Sequence, residues 1–361
     1  MFGLFKKGKT EFNAEVAPGG ESFSVKAGDN LLKAALEAGL QWPHDCRVGS
    51  CGTCKCTLKE GKVKELSDFA YVLDQEDLQS GMILACQAAL RSDVVVEVEF
   101  VKDVEQAVKV SSHEGVIHKV TPLTHDIMEL VVQANDDFPR TALAGQYAEV
   151  KVDDISQPRS YSFAKAPENE NDKELTFFVR RVPGGEFTEW LFAEDRAGKS
   201  IEVTGPYGSF WLRKGEAPVV CVAGGSGMAP IKALLESAQN SDTERDVLYL
   251  FGARTQKDLY CQDDMDQLKN KWKGNFEFVP VLSEEPEGSG WQGASGMVTD
   301  YLQQAYIDTG KVDMSVSQGY LCGPPPMIDA TVAMLEAAGM AKDDIHFDKF
   351  LDASSMPAGR K

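Results

Sequence analysis

The chain has 361 residues, room for two or three domains at about 150 residues each. Hydrophobic residues make up 43% and charged residues 26%, so the chain can bury real cores and is not disordered. Lys and Arg number 37 against 56 Asp and Glu, and the resulting net charge of -19 excludes a binder of nucleic-acid phosphates.

The first ten residues place Phe2, Leu4 and Phe5 beside Lys6, Lys7 and Lys9. This is too short for a signal-peptide core. It reads either as a frayed start or as a peripheral contact with an anionic membrane surface, and the frayed start is the plainer reading. No apolar run approaches the roughly 18 residues of a spanning helix. Residues 1–20 are therefore expected to be a tail.

Residues 21–103 form the first expected domain. A strand-like alternation begins at Phe23 and turns at Gly28, and Leu31, Leu32, Ala35 and Leu36 follow at helical spacing. Five of the eight cysteines then fall between residues 46 and 86. That crowding, with no secretory signal, argues against a disulfide scaffold and for a metal centre in a reducing compartment. Cys46, Cys51 and Cys54, with Cys86 closing the set, have the C-x4-C-x2-C…C spacing of a plant-type [2Fe-2S] site. Zinc prefers two close pairs, and Cys86 has no near partner. Gly49 and Gly52 let the loop backbone approach the cluster, and Cys56 reads as a bystander thiol on the next strand. A strand-rich stretch, Asp93–Phe100, ends the block, and polar residues 104–112 read as a linker.

Residues 113–213 are mostly strands, among them 147–152, 175–179 and 201–203, separated by Gly- and Pro-containing turns. They suggest a small antiparallel barrel with one helix at 186–194. Arg159-Ser160-Tyr161-Ser162 joins a cation, an aromatic ring and two hydroxyls; alone it is equally an ordinary barrel strand. Gly184 and Gly185 lead into the helix that carries Thr188. They free a helix N-terminus, where N–H groups and the dipole favour phosphate.

Residues 214–361 alternate strands (218–223, 246–252, 276–282, 318–322) with helices (229–238, 263–271, 297–306, 325–338). This alternation specifies a parallel sheet covered on both faces. Gly224, Gly225 and Gly227, followed by Pro230, run from a strand through a turn into a helix, the setting of a dinucleotide-phosphate site. Cys322-Gly323-Pro324 ends a later strand, and its bland reading is a Pro-rich helix start. Arg254 and Lys257 could meet a 2′-phosphate, yet the stretch after Tyr260 carries Asp263 and Asp264 and no base, which favours NADH over NADPH. None of the five histidines joins a nucleophile motif, so hydrolase chemistry has no support.

HDCRVGSCGTCKC, with LACQA around Cys86, resembles the ferredoxin domain of the reductase components of multicomponent oxygenases. RSYS resembles the R-x-Y-S motif of the ferredoxin–NADP reductase family, and CGPPPM its C-G-P-P-x-M motif. The resemblance implies a multidomain α+β and α/β chain: an N-terminal β-grasp [2Fe-2S] ferredoxin domain, an antiparallel β-barrel flavin domain and a C-terminal parallel α/β nicotinamide-binding domain. It implies Cys46, Cys51, Cys54 and Cys86 as cluster ligands. It places Arg159 on the pyrophosphate of FAD, in preference to FMN, with Tyr161 against the flavin ring and Ser162 near its N5. Gly184, Gly185 and Thr188 would complete the phosphate cradle, and Cys322 would lie by the nicotinamide carbon that gives up hydride. Phe350, in a segment similar to the family's closing strand, packs near the flavin or is an edge-strand core residue.

By the same resemblance, electrons pass from NADH through FAD and the cluster to an oxygenase. The expected partner is a membrane-embedded diiron hydroxylase of hydrocarbons, with the reductase in the cytoplasm at the inner face of the membrane. The rival readings are the reductase of a soluble ring-hydroxylating dioxygenase or soluble diiron monooxygenase, and a redox-sensing protein without turnover. Glu60, Glu65, Asp68, Asp74, Glu76 and Asp77 form either a docking face for a basic partner or a solvated surface.

Overall fold

The computed structural model describes residues 9–100, 110–136, 144–165 and 173–351. The apolar residues and two of the lysines of the N-terminal patch, most of the expected linker and residues 352–361 lie outside them. The chain divides into two compact units. One takes the residues up to Val110 with Tyr207–Ser209, and the other takes the remainder.

The first unit is built on a five-stranded sheet in the order Glu21–Lys26, Glu11–Ala17, Val94–Glu97, Lys55–Glu60, Met82–Leu84. Glu11–Ala17 and Val94–Glu97 run parallel, and the other neighbours run antiparallel. Helix Leu31–Glu37 starts at Asn30, whose side chain accepts from the Lys33 N–H at 2.8 Å, and it buries Leu31, Leu32, Ala35 and Leu36. This is the β-grasp arrangement. One expectation needs correcting, because the stretch 1–20 contains the strand Glu11–Ala17. That strand sits inside the sheet, where its alternation turns Phe12, Ala14 and Val16 to one face, with Ala14 and Val16 buried.

In the second unit, six antiparallel strands run in the order Arg159–Ser162, Tyr147–Lys151, Ser200–Tyr207, Ser111–Pro122, Ile127–Ala134, Glu174–Arg180. A bridge between Phe163 and Phe177 brings the first strand's end to the last strand and nearly closes a barrel. Phe163, Phe177 and Phe187 fill its core. Burying side chains of that size stabilises the barrel by about 2–3 kcal/mol each.

The same unit holds a fully parallel sheet in the order Ala294–Ser295, Phe276–Leu282, Val247–Ala253, Val219–Gly224, Gln318–Gly323, Ile345–Lys349. Val219–Gly224 is buried along its whole length, as a strand covered on both faces must be. The helix expected over 297–306 is α-helical over Val298–Leu302 and continues as a π-helical turn over Gln303–Ile307. Among the described residues no helix is long and apolar enough to cross a membrane.

His346, on the last strand, packs on the Tyr320 ring at 5.0 Å, and its Nε2 is buried with no hydrogen-bond partner among the described residues. Burial, with Arg213 and Arg245 nearby, lowers its pKa from 6.5 to about 4. The unfolded chain therefore binds the proton first as pH falls. Stability contributed by neutral His346 is full above pH 6.5 and is lost as pH drops toward 4, by a few kcal/mol at most (about 1.4 kcal/mol per unit). In His346→Gln the acid side of the unfolding-midpoint profile should flatten; an unchanged profile would remove His346 as its cause.

Candidate functional site

Cys46, Cys51 and Cys54 lie on the loop before strand Lys55–Glu60, and Cys86 on the 3-10 turn Ala85–Gln87. The thiols fall into two neighbouring pairs, Cys46 with Cys51 and Cys54 with Cys86. The pairs also sense each other electrostatically, Cys46 acting on Cys86 and Cys51 on Cys54. Two thiols per metal is the demand of a two-iron cluster, so the donor set fits.

The loop backbone points its N–H groups at sulfur. Ser50 N–H donates to Cys46 Sγ at 3.4 Å, and Gly49 N–H donates to Cys86. Its Cys51 partner and the Ser50 donors pull Cys46 down to about 5, while that same contact and burial push Cys51 up. Such N–H···S bonds favour thiolate and tune a cluster's potential. Gly49 has φ +77, and a Cβ there would lie 2.5 Å from Gln87 Cγ, so no other residue fits this turn. Cys56 is buried on its strand with its thiol pushed up by burial, as a bystander would be.

In the barrel, Arg159 is half-exposed at the strand start. Its Nη1 donates to Gln157 and Pro158 carbonyls at 2.7 and 3.0 Å, and its Nη2 to Glu186 at 3.4 Å. Ser160 is exposed on that strand, whereas Tyr161 tilts against Phe187 with ring centres 5.5 Å apart. Gly184 has φ +73 and open space around it, and Gly185 caps helix Glu186–Ala193. Thr188 lies in the first turn of that helix. Its hydroxyl donates to Val182 O at 3.0 Å and accepts from Val182 N–H at 3.1 Å, so it clamps the glycine turn from inside.

Ser162 is buried, and its Oγ lies 3.4 Å from Asp348 Oδ2. Asp348 pairs with Cys322 across the parallel sheet, and burial, with the Asp348 charge beside it, pushes the Cys322 thiol up. The barrel motif and the C-G-P-P segment, 160 residues apart in sequence, thus meet at one carboxylate. Asp348 was not singled out from sequence, although an acid in the apolar run of the closing strand was the available signal. Phe350 N–H donates to Gly323 O at 2.9 Å, and its side chain packs on the core beneath.

Gly225 has φ +57 and opens the turn before helix Met228–Asn240, with Pro230 buried in the helix's first turn. Gly227 touches the strand beside it, where a Cβ would overlap the Cys322 carbonyl oxygen. Pro324 precedes helix Pro325–Ala337, so two helix N-termini face the ends of neighbouring strands, where such sheets bind ligands. Arg254 donates to Asp258 at 2.8 Å and to Asp126 at 3.1 Å. His125, Asp126 and Asp258 bring ligand atoms within 4.8 Å of one another, but both carboxylates are already taken by Arg254.

Comparisons with known proteins identify the three domains that carry these residues. The family model of the 2Fe-2S iron-sulfur cluster binding domain matches residues 14–91. The oxidoreductase FAD-binding domain matches 114–211 and the oxidoreductase NAD-binding domain 221–333. The chain is 44% identical to the xylene/toluene monooxygenase electron transfer component of Pseudomonas putida over 94% of each chain. It is 33% identical to the phenol 2-monooxygenase reductase component of Pseudomonas sp. (strain CF600) over 95% of each. The solved ferredoxin reductase in carbazole 1,9a-dioxygenase superposes with TM-score 0.73 at 30% identity, covering 94% of this chain and 98% of that one. A [2Fe-2S] cluster, FAD and NAD(H) are thus the cofactors of this oxidoreductase, and the chain belongs to the family of iron–sulfur flavoprotein reductases that supply electrons to multicomponent oxygenases.

Proposed function

We propose that this chain takes electrons from NADH and delivers them, by way of FAD and the [2Fe-2S] cluster, to the hydroxylase of a membrane-embedded diiron hydrocarbon monooxygenase. The observation that carries the reading is the 44% identity, over nearly the whole chain, to a monooxygenase electron transfer component. The bound groups supply the redox chemistry itself: hydride transfer, the splitting of an electron pair and single-electron carriage.

The chain's residues bind and aim those groups. Cys46, Cys51, Cys54 and Cys86 hold the cluster, and the Ser50 and Gly49 N–H groups stabilise its thiolates. Arg159, with the Gly184-Gly185 turn at a helix start, takes the flavin pyrophosphate, and Tyr161 offers a half-buried ring, with Ser160 beside it on the strand. Thr188 keeps that turn in shape. Gly224, Gly225 and Gly227 hold the dinucleotide phosphates, and Gly323 and Pro324 line the next strand end. Ser162, Cys322 and Asp348 would border the place where the flavin and nicotinamide rings come together, with Asp348 accepting from Ser162 Oγ.

Reconstitution tests the partner. The purified protein with NADH should support turnover by a membrane diiron hydroxylase, with a higher kcat/KM for NADH than for NADPH. Turnover with a Rieske dioxygenase or a soluble diiron hydroxylase instead would reassign the partner. Failure of NADH to reduce the protein at all would overturn the reading.

A further inference from the structure

The barrel turn between Ser111–Pro122 and Ile127–Ala134 carries Asp126. Its Oδ2 accepts two cations at once, Arg180 Nε at 3.1 Å and Arg254 Nη2 at 3.1 Å. Its other oxygen accepts from Thr124 Oγ1 at 3.0 Å, and its carbonyl accepts the Arg181 N–H at 2.7 Å. The carboxylate is 19% exposed, less than either arginine, and is held on several sides. Arg180 ends barrel strand Glu174–Arg180, and its Nη1 would lie 3.2 Å from a Cβ on Gly225. The guanidinium therefore rests against the glycine turn at the start of helix Met228–Asn240. Tyr260 fixes the same turn, donating its hydroxyl to Gly225 O at 2.9 Å.

Arg254 follows strand Val247–Ala253, where a 2′-phosphate would arrive, but Asp126 and Asp258 both bind it. The four charges cancel. With Arg254 held from two sides, Arg180 is the cation turned toward an incoming pyrophosphate.

We propose that Asp126 is a positioning residue for the coenzyme: it holds Arg180 over the pyrophosphate turn and ties down Arg254 so that a 2′-phosphate cannot use it. This rests on the dinucleotide reading of the glycine turn given above. Two effects of removing Asp126 have opposite signs, so the outcome discriminates. As a bare charge near a dianion, Asp126 only repels, and its loss would tighten binding. As the anchor of Arg180, it organises a charge-assisted contact, and its loss weakens binding.

The test uses the holoprotein of wild type, Asp126→Asn, Asp126→Glu and Arg180→Gln. NAD+ binding is measured by calorimetry, and NADH and NADPH oxidation by steady-state kinetics. Asp126→Asn should raise the NAD+ Kd and the NADH KM about tenfold with kcat little changed, the scale of one lost charge-assisted bond. It should also raise kcat/KM for NADPH, narrowing the coenzyme ratio, and Asp126→Glu should restore much of both. Arg180→Gln should weaken both coenzymes alike and leave their ratio unchanged. Tighter or unchanged NAD+ binding in Asp126→Asn, or an unmoved coenzyme ratio, would overturn the proposal. Wild-type reduction by NADH in the same assay tests the underlying reading separately.

Discussion

Cys51→Ser should leave the protein able to accept electrons from NADH but unable to pass them singly to cytochrome c. Loss of outer-shell partners alone costs a metal site about 10–100-fold, so loss of a ligand should cut cytochrome c reduction on the order of a hundredfold or more. Cys51 is paired with Cys46 and draws it toward thiolate, so the substitution removes one of the two thiolates that this pair would offer one iron. The coenzyme-binding residues belong to the other compact unit, which should fold unaltered. Stopped-flow absorbance would record flavin bleaching at the wild-type rate, with the iron–sulfur bands diminished. Cytochrome c reduction at the wild-type rate would show that electrons leave by a route that bypasses the cluster.

The second large effect is expected at Gly227. Any Cβ there meets the Cys322 carbonyl oxygen and lies 3.2 Å from the Gly323 nitrogen. Those atoms cannot retreat, because strand Gln318–Gly323 is hydrogen-bonded to Val219–Gly224 on one side and to Ile345–Lys349 on the other. In Gly227→Val the glycine turn must move instead. A displacement of about 1 Å at a reacting pair can cost 10²-fold, and NADH-dependent flavin reduction should fall by that order. Dithionite should still reduce flavin and cluster normally. NADH reduction at the wild-type rate would mean that the turn does not hold the coenzyme.

What the sequence disclosed followed the range of each signal. The cysteine spacing is local, set by one loop wrapping a cluster, and three of the four sulfurs lie within nine residues. The strand–helix alternation of residues 214–361 is also local, because each βα unit carries its own apolar strand and amphipathic helix. Strand Glu11–Ala17 does alternate, Phe12, Ala14 and Val16 against Glu11, Asn13 and Glu15, but its place inside the sheet comes from pairing with Val94–Glu97, a long-range partner that no local pattern marks. Thr188 lay in the segment expected to cradle phosphate, yet its hydroxyl is spent on the backbone that forms the turn. Asp126, Arg180 and Arg254 come together from positions 54 and 128 residues apart, and charge pairing at that separation leaves no periodic trace. Asp348 met Ser162 in the same way, across 186 residues.

The parallel sheet has Ile345–Lys349 at its edge, delivering Asp348 beside Cys322 and leading to the Phe350 amide that binds Gly323. In the order of synthesis these residues emerge long after the cysteine loop. A chain interrupted before position 345 keeps all four cluster cysteines but leaves strand Gln318–Gly323 as a bare sheet edge, with the backbone groups that Ile345–Lys349 would pair left open to solvent.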